Sequence, residues 1–188
     1  MTRLGILEGS LRRESLSRAV ARAVPGIVPT GVTCVALPNP GTLPLFDQDV
    51  MDAGLPGAAA AMIEAVAGLD AILIVTPEYN WSIPGGLKNA LDWVSRQKPM
   101  PTLEKPVAIW SVSPGLLGGT RVHESLRQTL HCLGMNIMAL PEVQIAGAKS
   151  KVDVATSRIT DQTTEDFLRG HLNTFAAYCS TWAAGRAA

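Results

Sequence analysis

Apolar residues along the chain fall either in short continuous runs or in longer stretches where they recur every three or four positions. Continuous runs predict buried strands, and the wider spacing predicts helices with one apolar face. Strands are therefore predicted at residues 4–7, 32–37, 71–75, 106–113 and 136–140. The run at 71–75 contains no polar residue, which is typical of a central parallel strand that helices cover on both faces.

Five stretches with helical spacing follow these strands one by one. The first begins after Ser15, whose hydroxyl suits an N-cap, and ends before Pro25 and Gly26. The other helices are predicted at residues 55–69, 86–95, 120–133 and 164–182. Residues 38–54 and 142–161 lack either pattern and are predicted to be long irregular loops.

The alternation of strands and helices predicts an α/β fold with a parallel sheet. A chain of 188 residues is expected to form one domain, here a five-stranded, three-layer sandwich over residues 1–188 with strand order 2-1-3-4-5. Ligands of such sheets bind at the carboxyl ends of the strands, where the strand order reverses. The loops that follow the first and third strands are therefore the expected binding site.

Charge and composition narrow the range of functions. The 16 Lys and Arg residues balance the 16 Asp and Glu residues, which argues against nucleic acid as a partner and against an acidic electron carrier. Three cysteines without a C-x-x-C pair are typical of free thiols in a reducing compartment. No apolar run reaches the ~20 residues of a membrane span, and no leader pattern is seen. We expect a soluble, cytoplasmic protein with no membrane partner.

The loop after the first strand combines three serines with an arginine. Ser10, Arg12, Ser15 and Ser17 lie where a strand passes into a helix N-terminus. Free backbone N–H groups and the helix dipole favour an anion there, and hydroxyl and guanidinium donors suit a phosphate monoester. Neither a Walker A motif nor G-x-G-x-x-G is present. An ordinary capped helix start beside a solvated arginine therefore stays open as the alternative.

The loop after the third strand, residues 76–86, carries Tyr79, Asn80, Trp81 and a Gly-Gly pair. Two rings and an amide at the carboxyl edge of a sheet suit a planar heterocycle. A Pro/Gly turn with packed aromatic rings is the alternative, and it is weakened because both loops occur in one chain. The segment 111–119 leaves the fourth strand next to this loop, and its glycines suit either a close approach to a ligand or a flexible surface loop.

The sequence VTPEYNWSIPGGLKNALDW at residues 75–93 resembles the NADPH-dependent FMN reductase family, and within it the quinone and chromate reductase branch. Residues 9–17, 118–121 and 151–161 are similar to that family as well. The resemblance covers nearly the whole chain. It implies a flavodoxin-like fold, bound FMN and a homodimer or homotetramer. It also implies an oxidoreductase with a two-step (ping-pong) mechanism, in which NADPH or NADH reduces FMN and leaves before a quinone, chromate, azo or nitro compound takes the electrons.

The resemblance also assigns roles to individual residues. It implies that the first loop holds the FMN phosphate, through Ser10, Arg12, Ser15, Leu16 and Ser17. It implies that the second loop lines the isoalloxazine ring, largely with backbone groups of Pro77, Glu78, Tyr79, Asn80 and Trp81. A further flavin contact is implied at Ser113. Hydride transfer is the cofactor's own chemistry, so we expect no catalytic acid or base. Glu78 is expected to be a structural carboxylate bound to a neighbouring amide or a partner side chain, with a general base as the alternative.

Trp81 departs from the family pattern, in which tyrosine is common at this position. We expect its bulkier, donor-only side chain to narrow the acceptor site or to alter a subunit contact. The same branch joins its subunits through an Arg–Tyr–Glu network. Arg121 and Glu142 fit that network, but Glu124 stands where tyrosine is usual, so the pattern supports a dimer better than a tetramer.

Two other functions stay open on sequence grounds. One is a flavodoxin-type electron carrier, although such carriers are usually acidic and use a phosphate loop without arginine. The other is a subunit-interaction protein that kept the fold and lost the cofactor. A metal site and a serine hydrolase are not predicted, because the three histidines match no ligand spacing and no G-x-S-x-G motif occurs.

Overall fold

The structure is a computed structural model that describes residues 1–187, with side chains up to residue 185. Strands and helices alternate along these residues. The strands are β1 Thr2–Glu8, β2 Val32–Ala36, β3 Ala71–Thr76, β4 Pro106–Val112, β5 Asn136–Ile137, β6 Val143–Ile145, β7 Val152–Asp153 and β8 Arg158–Ile159. The α-helices are α1 Leu16–Ala23, α2 Gln48–Ala53, α3 Gly57–Ala67, α4 Gly85–Val94, α5 Arg121–Cys132 and α6 Gln162–Ala187.

The main sheet is parallel, with the order β2-β1-β3-β4-β5. The predicted order 2-1-3-4-5 is therefore confirmed. Glu8 at the end of β1 lies opposite Val75 in β3, and Thr76 lies opposite Ser111 in β4. These pairings bring the carboxyl ends of the three central strands to one edge of the sheet, so the loops that leave them lie side by side.

The fifth strand is shorter than the predicted 136–140. It ends at Ile137, and Pro141, which has no N–H to donate to a ladder, stands before the chain rejoins the sheet. The chain then returns to β4 as β6, so β5 and β6 pair with successive parts of the same neighbour. The prediction that 142–161 is irregular is therefore wrong, because this stretch holds β6 and the β7–β8 hairpin.

Helices cover both faces of the sheet, which confirms the three-layer arrangement. Residues of α1 and α6 pack in one apolar cluster with one set of strand side chains. Residues of α3, α4 and α5 pack in a second cluster with the alternate set. Trp110 belongs to the first cluster and Trp93 to the second, and both are fully buried. A short helix, α2, lies in the predicted loop 38–54, where the Asp47 side chain caps it. No helix among the described residues is long and apolar enough to cross a membrane.

A buried polar pair joins β4 to α6. Trp110 Nε1 donates a hydrogen bond to His171 Nδ1 at 3.1 Å, and the two rings meet edge to face. Burial lowers the pKa of His171 from 6.5 to about 4, because water no longer solvates the charged imidazolium. The neutral imidazole is therefore the form that accepts the tryptophan N–H.

This pair predicts that stability falls as the pH is lowered from 6.5 to about 4. In that window the unfolded chain protonates His171 and the folded chain does not, so unfolding takes up a proton, at a total cost to stability of roughly 3 kcal/mol. Urea unfolding at a series of pH values measures the effect. His171→Gln should flatten the profile, whereas His131→Gln, which removes an exposed imidazole, should preserve it. The same slope in His171→Gln as in the wild type would contradict this account.

Candidate functional site

The two loops of the candidate site touch where they begin, at Gly9. Its N–H donates to the Val75 carbonyl at 2.8 Å, which continues the β1–β3 pairing by one residue. A Cβ atom at Gly9 would lie 2.2 Å from Thr76 Oγ1 and 2.8 Å from Thr76 Cα. Only glycine lets the backbones of β1 and β3 approach this closely at the sheet edge. The close packing brings the first loop against the second.

Three buried serines lie in the first loop and at the start of α1, and two of them are in contact. Ser10, Ser15 and Ser17 are 2%, 7% and 1% exposed. Ser15 is the N-cap and accepts from the Arg18 N–H at 3.4 Å, which confirms the predicted cap. Its Oγ also lies 3.0 Å from Ser17 Oγ. Buried hydroxyls at a helix N-terminus are donors already arranged for an anion.

Arg12 in this loop and Arg18 in α1 have different roles. Arg18 Nε donates to Glu8 Oε2 at 2.6 Å, and its Nη1 lies 3.4 Å from the Arg12 carbonyl. Arg12 itself is exposed, and no carboxylate among the described residues pairs with its guanidinium. Arg18 therefore fixes the loop to β1, while Arg12 keeps its donors available. The Glu8–Arg18 pair was not predicted, because it joins a strand end to a helix face.

The second loop is a tight turn with an aromatic tip. Tyr79 and Ser82 exchange two backbone hydrogen bonds of 3.1 and 3.0 Å. Between them Asn80 and Trp81 have φ angles of 50° and 64°. Asparagine tolerates this left-handed region, but a bulky residue such as tryptophan adopts it only under strain, and such strain is common at functional sites. The turn leaves Trp81 69% and Tyr79 48% exposed.

One contact joins the two loops beyond Gly9. Ser10 Oγ lies 3.4 Å from the Tyr79 hydroxyl and also accepts from the Arg12 N–H at 3.3 Å. Leu11, which lies between Ser10 and Arg12 in the sequence, packs against Gly86 at the start of α4. The serine-rich loop and the aromatic loop therefore form one continuous surface.

Glu78 fixes the second loop to α5. Its Oε2 accepts from the Val122 N–H at 3.0 Å, and Thr120, the N-cap of α5, makes no side-chain cap. A carboxylate there satisfies a free N–H and complements the helix dipole. Gly119 passes closely, since a Cβ on it would lie 3.4 Å from that of Glu78. The carboxylate is bound to an amide, as the structural role predicts.

Two further contacts fasten the turn to the first turn of α5. The Arg121 guanidinium lies 4.4 Å from the centroid of the Trp81 ring. Ser82 Oγ lies 3.4 Å from Ser125 Oγ. Helix α5 thus contacts the loop at Glu78, Trp81 and Ser82, and these contacts fix the position of the loop beside the candidate site.

The loop after β4 forms the third side. Ser113 Oγ accepts from the Gly115 N–H at 3.1 Å, and its backbone bonds to Ile145 and Ala148. Ser113 is half-buried beside this edge of the sheet. The hydroxyl shapes the glycine-rich loop, and its contact with a ligand stays a prediction.

Arg121 and Glu142, which the resemblance assigns to a subunit network, both have contacts within the chain. Glu142 is bound by Arg127, at 2.5 Å, and by Gln144, at 2.7 Å. The hydrogen bond from Arg127 holds the pKa of Glu142 below its ordinary value. Arg121 lies instead on Trp81. Within one chain, Arg121 and Glu142 therefore have different partners.

His123 is a buried residue near the site that the sequence patterns did not single out. Its Nε2 lies 3.0 Å from Ser111 Oγ at the end of β4. Burial lowers its pKa, so the neutral ring is favoured. The bond anchors α5 below the loops. No spacing rule predicts it, because it depends on how the helix packs on the sheet.

A separate cavity of about 590 Å³ lies at the opposite, amino edge of the sheet. It is lined by residues of both chain ends and of the segment before β4, among them Thr2, Leu103 and Trp182. It contains none of the predicted site residues. The donors for an anion and the exposed rings lie at the carboxyl edge, and we place the candidate site there.

Comparison with known proteins identifies the family to which the chain belongs. Residues 2–150 match the family model described as NADPH-dependent FMN reductase. The chain is 43% identical over 173 residues to a quinone reductase of Escherichia coli (strain K12), covering 92% of each chain. It superposes with a TM-score of 0.87 on FerB, a flavoenzyme NAD(P)H:(acceptor) oxidoreductase from Paracoccus denitrificans, at 28% identity over 96% of this chain and 98% of that one.

A flavodoxin from Pseudomonas aeruginosa also superposes, with a TM-score of 0.52 and 18% identity over 95% of this chain and 99% of that one. At this identity the likeness concerns the fold alone, and it confirms a flavodoxin-like architecture. The family model spans most of the chain, and the identity to the Escherichia coli quinone reductase extends over nearly all of both proteins. The chain belongs to the NADPH-dependent FMN reductase family.

Proposed function

We propose that this protein is an FMN-containing reductase that oxidises NADPH or NADH and reduces quinones, with chromate, azo and nitro compounds as further acceptors. In the balanced reaction, NAD(P)H, one proton and one quinone give NAD(P)⁺ and one hydroquinone. The single observation that carries the proposal is the contact between the hydroxyl-rich loop and the aromatic loop at the carboxyl edge of the sheet. One loop suits a phosphate, and the other suits a planar ring.

The residues at the first loop fit the phosphate of FMN. Ser10, Ser15 and Ser17 supply buried hydroxyls beside the N-terminus of α1, with Leu16 next to them. Arg12 supplies a charge with no carboxylate partner among residues 1–187. Helix N-terminus, hydroxyls and guanidinium together match a dianionic phosphate monoester.

The residues at the second loop fit the isoalloxazine ring. The Tyr79–Ser82 turn presents rings and backbone groups of Pro77 to Trp81 at the edge where a heterocycle would lie. The residues of this loop would hold the isoalloxazine ring, and bound FMN would supply the hydride-transfer chemistry between NAD(P)H and the acceptor. The chain's own task is to position the ring and exclude water, and the hold of α5 on Glu78 gives the loop the rigidity this requires. Ser113 would add a contact from the third side.

We propose that two copies of the chain form a homodimer. The pairing of Glu142 with Arg127 inside one chain favours a homodimer over a homotetramer. The free thiols of Cys34, Cys132 and Cys179 suit a reducing, cytoplasmic compartment.

Oxidation of NADH and NADPH with menadione as acceptor tests the proposed activity. Without oxygen, FMN-loaded protein should oxidise about one equivalent of dinucleotide in the absence of menadione and turn over repeatedly when menadione is added. Double-reciprocal plots at several fixed menadione concentrations should give parallel lines, as the two-step mechanism requires. An FMN-loaded protein that needed a separate reductase partner would instead be an electron carrier. A protein that stayed colourless after incubation with FMN and removal of the unbound FMN would have lost the ability to bind the cofactor. Either result would refute the proposal.

Arg12→Ala is expected to weaken FMN binding by about 10- to 100-fold, since a hydrogen bond to a charged group contributes about 1.5–3 kcal/mol. Titration of the apoprotein with FMN, followed by quenching of flavin fluorescence, measures the change. Arg13→Ala is the matched control, because it removes the neighbouring exposed arginine. Equal FMN affinity in Arg12→Ala and the wild type would refute the phosphate assignment.

A further inference from the structure

Arg121 and Trp81 form a stacked pair at the outer end of the second loop. The guanidinium carbon lies 4.4 Å from the ring centroid, well within the range of a cation–π contact. Arg121 is the first residue of α5, and Trp81 is the tip of the tight turn. The pair therefore joins the wall of the candidate site to the helix that supports it.

Both the backbone of the turn and Arg121 of α5 fix the position of the Trp81 ring. The two backbone bonds between Tyr79 and Ser82 fix the turn, and φ at Trp81 lies in the strained left-handed region. The guanidinium then holds the ring from the side of α5. A large side chain that is 69% exposed and still held in this way offers a surface for a ligand.

The charge of Arg121 is not compensated by an ion pair. No carboxylate of residues 1–187 lies within ion-pair distance of it. Two nearby carboxylates have other partners, Glu78 at the Val122 N–H and Glu142 at Arg127, and Glu124 in the first turn of α5 is exposed and forms no ion pair with Arg121. The N-terminus of α5 adds partial positive charge at the same point. A cation–π contact uses none of the guanidinium N–H groups as hydrogen-bond donors to an acceptor atom, so they are left available for an anion.

The surroundings of the pair select for a flat apolar ligand. Tyr79 is half-exposed next to the turn, and Leu116 and Leu117 are exposed on the loop after β4. The Thr120 N–H donates to the Leu117 carbonyl at 3.1 Å, so this loop ends next to Arg121. Exposed aromatic and aliphatic side chains on the two segments that flank the cation match a planar ring that carries a negative charge. A neutral ring gains the same apolar contacts without the charge attraction.

We propose that Arg121 and Trp81 form an acceptor-selecting pair that favours anionic quinones, such as hydroxyquinones ionised at neutral pH, over neutral quinones of the same ring size. This inference rests on the proposed function, because it needs the second loop to border the site of acceptor reduction. Trp81 provides the stacking surface, and Arg121 provides the charge. The departure from tyrosine at position 81 is then a feature of acceptor choice.

The test compares 2-hydroxy-1,4-naphthoquinone, which is anionic at neutral pH, with neutral menadione. The ratio of the two kcat/KM values should fall by about three- to tenfold in Arg121→Gln, as expected for the loss of one partly screened charge. Arg121→Lys should retain most of the ratio. Added NaCl should lower the ratio in the wild type and have little effect in Arg121→Gln. Arg158→Gln is the control, because it removes an exposed arginine of the distant β7–β8 hairpin and should leave both rates unchanged.

Equilibrium binding separates this inference from the proposed activity. Quenching of tryptophan fluorescence gives the Kd of the hydroxynaphthoquinone without turnover, and Arg121→Gln should raise that Kd by about three- to tenfold. If the wild type fails to reduce menadione, the proposed function is wrong, while the Kd values still decide the role of Arg121. An unchanged ratio and Kd in Arg121→Gln, or the same change in Arg158→Gln, would overturn the inference.

Discussion

Gly9→Ala is expected to destabilise the protein by about 1–3 kcal/mol and to weaken FMN binding at least about tenfold, because overpacking at this point moves the backbone of both loops. A Cβ on Gly9 would lie 2.2 Å from Thr76 Oγ1 and 2.8 Å from Thr76 Cα. A rotation of the Thr76 side chain relieves the first contact. The second involves backbone, so β1 and β3 must separate where the hydroxyl-rich and aromatic loops meet.

Urea unfolding and an FMN titration measure the two effects. Gly57→Ala is the matched control, since a Cβ at that helical glycine meets nothing within 4 Å and alanine favours the helix. If Gly9→Ala had the stability and FMN affinity of the wild type, the close approach of the loops would not matter for the site.

Trp110→Ala is expected to lower the free energy of unfolding by about 3–5 kcal/mol, the usual cost of removing a large buried aromatic side chain. Trp110 is fully buried in β4 and donates its N–H to His171. The substitution leaves a cavity between the sheet and α6, and the imidazole loses its donor. Because β4 carries the loop with Ser113, we also expect weaker FMN binding in any protein that still folds.

Trp81→Ala provides the comparison for stability. It removes the same side chain from a position that is 69% exposed, so we expect a change below about 1 kcal/mol. Trp110→Phe should lie between the two, since it keeps a ring in the core and loses only the bond to His171. A small effect of Trp110→Ala in urea unfolding would contradict the assignment of this residue to the core.

The course of the main strands could be predicted from the sequence, because each signal is local. The all-apolar run at 71–75 predicted β3, and the spacing after Ser15 predicted α1 and its cap. Rules for parallel sheets then gave the strand order and placed the two loops together. The split of the fifth strand was missed, since the effect of Pro141 depends on how the chain rejoins β4.

Contacts of the predicted site residues could be foreseen where the partners are close in the sequence or lie on neighbouring strands, and not where they depend on helix packing. Ser15 and Ser17 lie beside each other as a helix start requires, and Ser10 meets Tyr79 because β1 and β3 are neighbours. The bond from Val122 to Glu78 was foreseen only as a carboxylate bound to some amide. Its partner is 44 residues away and follows from the packing of α5 on the sheet.

The contact of Arg121 within the chain could not be predicted from the resemblance. The family pattern connected this residue with Glu142 in a subunit network. In the folded chain Glu142 is already bound by Arg127, and Arg121 lies on the ring of Trp81. A tryptophan at the turn offers a larger aromatic face to a cation than tyrosine does. The residue that departs from the family pattern is therefore the one that Arg121 contacts within this chain.

A crystal structure of the protein with FMN would show where the cofactor binds. We expect the phosphate at Ser10, Arg12, Ser15 and Ser17 and the isoalloxazine ring against the turn with Trp81. FMN bound elsewhere, for example in the amino-edge cavity beside Trp182, would contradict this expectation.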